Sequence, residues 1–431
     1  MESEISPTSK PSFRTLLANA VSPLPQRRLK HGECRAQGGK LCTLCSAHKI
    51  EYDIEFQIKN SVLEAFWTAQ GLSPAIEPLV ASPFGRNYRV VTKRKAFFSG
   101  GTVKLGLIGI EEDPSEVNPI TVDLCMIEPV KHSEIYQCLQ AYINRKELRN
   151  VAEFINYVVV KGNYDELAVI LNLAAFNSNV RPFVNRLSKH LTATVQGIAS
   201  VFVVVDEKKS RYYMPQRSKN QKIPFQKVFG KGELFQRIGG NKFLYSPLSF
   251  SQTNLSILEV FVRTVHELLD LRPDDRLLDL YCGYGIFSLS AAKALKSAVG
   301  VELSWDAVGD AKRNAERLKI PNCKYLQGDI DEENLERILS TNNKTTKVIL
   351  DPPRNGTKPG IVELIAAHKI QRALHIICNI DLLPAEIARW KQCGYNISRA
   401  VPFDMFPGTS EVEIAICLER KRAGIFLPTK G

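Results

Sequence analysis

Two residues of this chain suit covalent chemistry: Cys378, which closes the apolar run Ala373-Leu374-His375-Ile376-Ile377, and Glu413, within the strand-like segment Glu411-Val412-Glu413-Ile414-Ala415-Ile416. A thiolate at a strand end can add to a carbon electrophile, and a carboxylate on the same sheet can take up the proton released afterwards. Glu411 shares the parity of Glu413, so the pattern leaves either as the base. The bland reading is an inert buried cysteine, the commoner fate of a lone thiol in an apolar strand. Upstream, Asp351-Pro352-Pro353-Arg354 follows the run Val348-Ile349-Leu350. Its prolines fix a loop that holds Asp351 and Arg354 at the carboxyl edge of a sheet, where doubly wound folds bind ligands.

A second constellation points to a nucleoside cofactor. Leu277-Leu278-Asp279-Leu280-Tyr281-Cys282-Gly283-Tyr284-Gly285 reads as a buried strand running into a glycine turn, and Glu302 ends the next strand. Glycines let the backbone approach a ligand, and a terminal carboxylate can accept both ribose hydroxyls. Ser288 stands where a dinucleotide fingerprint needs its last glycine, and the acidic Asp279 suits a sulfonium better than a pyrophosphate. Both features favour S-adenosylmethionine over NAD.

These groups need a frame. From Ser256 onward, short apolar runs alternate with helical patterns: Leu277–Tyr281, Phe287–Leu295, Ala298–Glu302, Trp305–Leu318, Lys347–Leu350, Gly360–His368 and Ala373–Cys378. This spacing predicts βαβ units and an α/β domain with a doubly wound, mainly parallel sheet over residues 246–431. Residues 34–245 mix periods. Thr102–Leu107 alternates as a strand, Ser133–Leu148 has a helical stripe, Leu167–Leu171 and Ala199–Val205 are strands, and Pro182–Leu191 is a short helix. They read as an α+β domain, preceded by a flexible basic tail over residues 1–33.

The formal charge of +12 over 431 residues points to a polyanion, most simply RNA. The chosen backbone contacts are Arg86, Arg89, Lys93, Arg94 and Lys95, and the segment Arg217, Lys219 and Lys222. No apolar run is long enough to span a bilayer, and the ten cysteines without a secretory signal argue for a reducing compartment, the cytoplasm; a monomer without a membrane partner is expected. Cys34-x7-Cys42-x2-Cys45 can wrap one metal, with Cys125 or Cys138 as fourth thiol. Four thiolates bind zinc or an iron–sulfur cluster, and spacing leaves both open.

Taken together, Ser246-Pro247-Leu248-Ser249-Phe250-Ser251-Gln252-Thr253-Asn254, the glycine turn, Asp351-Pro352-Pro353-Arg354, Cys378-Asn379 and Asp404-Met405-Phe406-Pro407 leading to Glu413 resemble the RNA uridine-5 methyltransferases from Cys34 to the C-terminus. The resemblance is greatest to members that act on large-subunit ribosomal RNA without an N-terminal RNA-binding barrel. It implies that Cys378 is the nucleophile and Glu413 the base. It also implies that Gln252, Tyr281, Glu302 and Asp351 contact S-adenosylmethionine, with Asp329 near the adenine. Cys34, Cys42, Cys45 and Cys125 match the family's 4Fe–4S ligands, and the central domain would bind RNA. The chain departs from the family at Ile377, Ile380 and Glu411, where Ser, Pro and His are usual.

The implied chemistry is thiolate addition at C6 of uracil, which makes C5 nucleophilic towards the methyl donor, followed by removal of the C5 proton and elimination of Cys378. The target base must be flipped or single-stranded, and Arg354 is expected to favour the thiolate. Transfer RNA is the alternative substrate. A noncatalytic iron–sulfur RNA-binding protein and an N- or O-methyltransferase with a structural Cys378 are the alternative functions.

Overall fold

The computed structural model describes residues 11–25, 27–28, 45–108, 119–120, 122–209, 213–214, 224–340 and 345–421. Two helices lead the chain, α1 (Phe13–Val21) and α2 (Tyr52–Ala69). A central unit follows with β1 (Val91–Ser99), β2 (Thr102–Ile108), β3 (Pro119–Ile120), α3 (Val130–Ile143), α4 (Arg149–Ala152), β4 (Ile155–Gly162), β5 (Leu167–Leu173), α5 (Val180–Thr194), β6 (Ile198–Val205) and β7 (Phe225–Gly230). The hairpin β8 (Leu234–Ile238) and β9 (Asn241–Tyr245) leads into α6 (Leu258–Leu269), β10 (Arg276–Leu280), α7 (Ile286–Ala291), β11 (Ser297–Glu302), α8 (Trp305–Arg317) and β12 (Cys323–Gln327). The chain continues through α9 (Glu332–Leu339), β13 (Thr346–Leu350), α10 (Ile361–Ala367), β14 (Arg372–Ile377), α11 (Leu383–Gln392), β15 (Tyr395–Phe403) and β16 (Glu413–Arg420).

The C-terminal sheet has the order β12-β11-β10-β13-β14-β16-β15. Strands β10 to β14 are mutually parallel, while β16 runs antiparallel to both β14 and β15. Helices cover both faces, which is why residues 348–350 of β13 and 373–377 of β14 are buried on consecutive residues rather than alternating. The chain order reverses between β10 and β13, and that switch point opens a crevice at the carboxyl edge.

The central sheet has the order β3-β2-β1-β4-β5-β6-β7, antiparallel except for β5 and β6. Along β4, Val158 and Val160 pack with α3 and α5. Val159 joins a core shared with α6 and the C-terminal sheet. The alternation of β4 therefore welds the central sheet to the C-terminal domain. The segment from Glu77 to Val80 adds backbone bonds to Ala400, Pro402 and Asp404, covering part of the edge strand β15.

Three expectations change. The N-terminal segment is not wholly a flexible tail: Ser12 caps α1 by accepting the Thr15 N–H, and Phe13, Leu17 and Val21 are buried on one face. Nine residues are too few for a stable isolated helix; α1 forms because Phe13 packs edge-on against Phe66 of α2. The helix expected to reach Leu148 ends at Ile143, where the Asn144 side chain bonds both the N–H and the C=O of Val103 on β2. Finally, β16 begins at Glu413, which leaves Glu411 in the preceding loop.

Candidate active site

The cofactor side of the crevice is built around β10. Tyr281 takes a left-handed backbone, and Gly285 does so with the Tyr325 hydroxyl only 2.8 Å from where its Cβ would lie, so no side chain fits there. Glu302 turns both carboxylate oxygens inward, accepting from Gly283 N at 3.1 Å and Ser304 N at 2.8 Å. Asp279 is fully buried and accepts the Ser288 N–H at 3.1 Å. It thereby occupies an amide of the first helical turn that a pyrophosphate would use. Burial pushes the Asp279 carboxyl up to about 6. The Asp351 N–H bonds the Leu280 carbonyl, which carries the second loop to the end of β10.

Phe250, Gln252, Tyr281, Gly283 and Asp351 line one cleft of about 400 Å³, open to solvent. Gln252, Tyr281 and Asp351 thus meet in one cleft, and Glu302 is bonded to the turn that lines it. Among the described residues, the buried Tyr281 hydroxyl has no hydrogen-bond partner, and neither does one oxygen of Asp279. Asp329 is paired with Lys358 at 2.6 Å and is not among the residues lining this cleft.

The catalytic side follows from strand register. Ile377 of β14 lies opposite Ile414 of β16, so the antiparallel pairing brings Cys378 beside Glu413. The Cys378 sulfur sits 3.8 Å from the Pro352 carbonyl. Glu413 is only 6 % exposed, and one of its oxygens has no hydrogen-bond partner among the described residues. Burial raises Glu413 to about 7, with Arg354 opposing. Asp351 is pushed well above the usual carboxylate range by burial, then by the charges of Glu413, Asp279 and Glu302.

The expected thiolate is not the resting state. Burial, Glu413 and Asp351 push the Cys378 thiol up to about 12, and Arg354 pulls in the expected direction but is outweighed.

Glu411 is otherwise engaged. One of its oxygens lies 3.1 Å from Arg14 of α1 and 3.4 Å from Arg354. Paired with two guanidiniums and more exposed, it is a poorer base than the buried Glu413.

Two of the proposed phosphate contacts are structural. Arg94 is 1 % exposed and bidentate with Glu128, at 2.8 and 2.6 Å. Arg86 bonds Glu55 at 2.8 Å and the Ile50 carbonyl. Arg89, Lys93 and Lys95 keep the opposite strand parity, with Lys93 over the Tyr213 ring and Lys95 over Tyr157. Arg217, Lys219 and Lys222 lie outside the described residues.

Cys34 and Cys42 also lie outside the described residues. Cys45 and Cys125 are near enough that charge on Cys45 adds to the burial and the Glu128 charge that raise Cys125. Cys138 is elsewhere, on α3 beside Thr194 and Arg145. Among the described residues, no group of three or more His, Cys, Asp or Glu forms a metal site. The juxtaposed Cys45 and Cys125 are compatible with two ligands of a four-thiol set.

Sequence reasoning missed two buried clamps. Lys59 of α2 is fully buried, 2.7 Å from Asp404 and 3.8 Å from Glu55, and it anchors the loop that leads to Glu413. Lys161 of β4 bonds the carbonyls of Pro247 and Ser249. The available signal was parity: each lysine falls on the inward face of its element.

The strand order, the acidic glycine turn and the terminal carboxylate define a methyltransferase-like α/β domain. The profile of the tRNA (uracil-5-)-methyltransferase family matches residues 204–421, half of the chain, and the chain belongs to that family. It is 28 % identical over 386 residues to the 23S rRNA (uracil(1939)-C(5))-methyltransferase RlmD of Aliivibrio fischeri, covering 88 % of this chain and 80 % of that protein. An uncharacterized RNA methyltransferase of Clostridium tetani is 24 % identical with the same coverage. The crystal structure of Pyrococcus abyssi tRNA (uracil-54, C5)-methyltransferase in complex with S-adenosyl-L-homocysteine superposes with a TM-score of 0.66 at 22 % identity, covering 91 % of this chain and 86 % of that one. That likeness concerns the fold.

Proposed function

We propose that this protein methylates C5 of a uridine in RNA, with S-adenosylmethionine as donor, through a covalent adduct between Cys378 and C6. The observation that carries the reading is the placement of Cys378 beside a buried Glu413, one of whose oxygens has no hydrogen-bond partner among the described residues, next to a cleft lined by Gln252, Tyr281 and Asp351.

Cys378 begins as a thiol. As its sulfur bonds C6, its proton passes to Asp351, whose basicity burial has raised, which leaves Glu413 ionised for the later step. The cofactor supplies an electrophilic methyl group, which C5 then takes. Glu413 removes the remaining C5 proton, the S–C6 bond breaks, and the departing sulfur recovers a proton. Arg354, close enough to lower both Cys378 and Glu413, steadies the negative charge that builds up between them.

Ribosomal RNA is the favoured substrate, supported by relatives aligned over 88 % of the chain. Arg89 and Lys93 are the leading backbone contacts: they repel one another across Tyr213, and neither has a carboxylate partner among the described residues. Cys34, Cys42, Cys45 and Cys125 would hold a 4Fe–4S cluster that ties the N-terminal segment to the loop before α3. The thiols require a reducing compartment, the cytoplasm, and the protein acts as a monomer.

Incubation of purified protein with S-adenosylmethionine and total RNA, followed by mapping of 5-methyluridine, tests the reading. New 5-methyluridine in the large-subunit ribosomal RNA is expected. Modification confined to transfer RNA would reassign the substrate, and none in any RNA would refute the activity.

A further inference from the structure

Lys161 ends an inward-facing row of β4 and is 6 % exposed. Removing an ammonium from water costs several kcal/mol unless its protons find acceptors, and here they find one loop. The Lys161 ammonium donates to the carbonyl of Pro247 at 3.3 Å and to that of Ser249, above the face of Tyr245. The loop is gripped from the other side by Asp310 of α8, which accepts from Ser246 N at 2.7 Å and from the Ser249 hydroxyl at 2.5 Å. Further along, the Val90 N–H bonds the Thr253 carbonyl. Between these tethers the loop presents Phe250 and Gln252 to the cofactor cleft.

The segment between β9 and α6 belongs to no sheet, so its carbonyls have no ladder to satisfy them. Two of them depend on a side chain from the central sheet. We propose that Lys161 is a positioning residue for cofactor binding, holding the 246–252 loop so that Gln252 stands at the cleft; this rests on the reading that the cleft takes S-adenosylmethionine. Burial lowers Lys161 to about 7, with Asp310 opposing. Protonated or neutral, the amine keeps two N–H groups for two carbonyls. The function is donation rather than charge, and a neutral donor of similar reach should replace it. The cofactor pocket is thereby built partly from the central sheet, which carries the proposed RNA contact Lys93 on β1.

The test is calorimetric titration of the full-length protein with S-adenosylhomocysteine, beside RNA binding measured by filter retention. Lys161→Met should raise the dissociation constant for S-adenosylhomocysteine about tenfold, as expected for the loss of one to two buried hydrogen bonds. Lys161→Gln should stay within about threefold of the parent because its amide still donates, and RNA affinity should be unchanged in both. A general loss of structure would weaken both ligands and would not be rescued by glutamine. Should Lys161→Met not fold, Ser249→Ala removes one of the two bonds to Asp310 while keeping Lys161 and the Ser246 N–H bond in place, and should weaken S-adenosylhomocysteine about threefold with RNA binding intact. Parental affinity in folded Lys161→Met, or in Ser249→Ala where only that variant folds, overturns the proposal. So does a glutamine variant as weak as the methionine one. If the unmodified protein itself does not bind S-adenosylhomocysteine, the cofactor reading falls and takes the proposal with it.

Discussion

The raised Cys378 thiol makes a chemical prediction that needs no substrate. With its thiol at about 12, Cys378 would be about one part in ten thousand thiolate at pH 8, against roughly a quarter for an ordinary thiol of pKa about 8.5. Its alkylation by iodoacetamide should therefore run about three orders of magnitude slower than that of an ordinary thiol, before any hindrance from burial. Replacing Glu413 by Gln removes the largest charge acting against the thiolate. Two charges about 5 Å apart at an effective dielectric of about 20 repel by roughly 3 kcal/mol. Because Glu413 shares its negative charge with Asp351, about 1–2 kcal/mol of that should be recovered, which means a roughly 5- to 30-fold faster alkylation at pH 8. The assay is pH-resolved alkylation read by mass spectrometry on the Cys378 peptide, with the less buried Cys393 as internal reference. A Cys378 that alkylates with a midpoint near 8.5 in the parent, or more slowly in Glu413→Gln, would refute the electrostatic account.

The two catalytic roles separate on denaturing gels. Cys378→Ala should give neither methylation nor a covalent RNA complex, while Glu413→Gln should accumulate a methylated, covalently trapped complex; trapping by Glu411→Gln instead would reassign the base. Glu413 should also make stability depend on pH. Its carboxyl is raised in the folded protein to about 7, so stability present below about pH 4 is lost as pH rises through 7. Glu413→Gln should consequently be about 1–3 kcal/mol more stable than the parent at pH 8 and nearly equal to it at pH 4, by denaturant titration. Anaerobically purified protein should carry about four irons; Cys45→Ser and Cys125→Ser should lower that content and Cys138→Ser should not, with stoichiometric zinc refuting the cluster.

The identities of the reacting groups were legible in the sequence because their chemistry is local. A glycine turn after an apolar strand, an acid at the next strand end and a proline-fixed loop are short-range signals, and the alternation of strands and helices set the α/β class. What distinguishes Glu413 from Glu411 is not local. They share parity in the chain, and only the start of β16, the β14–β16 register and the arginines Arg14 and Arg354 separate a free buried carboxylate from a paired one.

The same holds for charge. Arg94 and Lys93 are neighbours in a basic run, yet strand alternation buries the first against Glu128 and leaves the second facing Tyr213. The protonation of Cys378 is not legible in the sequence for a related reason. The nearby Arg354 is visible in the sequence, whereas desolvation and the convergence of Glu413 and Asp351 are sums over the folded surroundings. Helix α1 needed Phe66, and the 246–252 loop needed Lys161 from another sheet. Composition and period determine which groups are present and which elements carry them, while ionisation, pairing and anchoring depend on residues distant in the chain, and tertiary packing decides those.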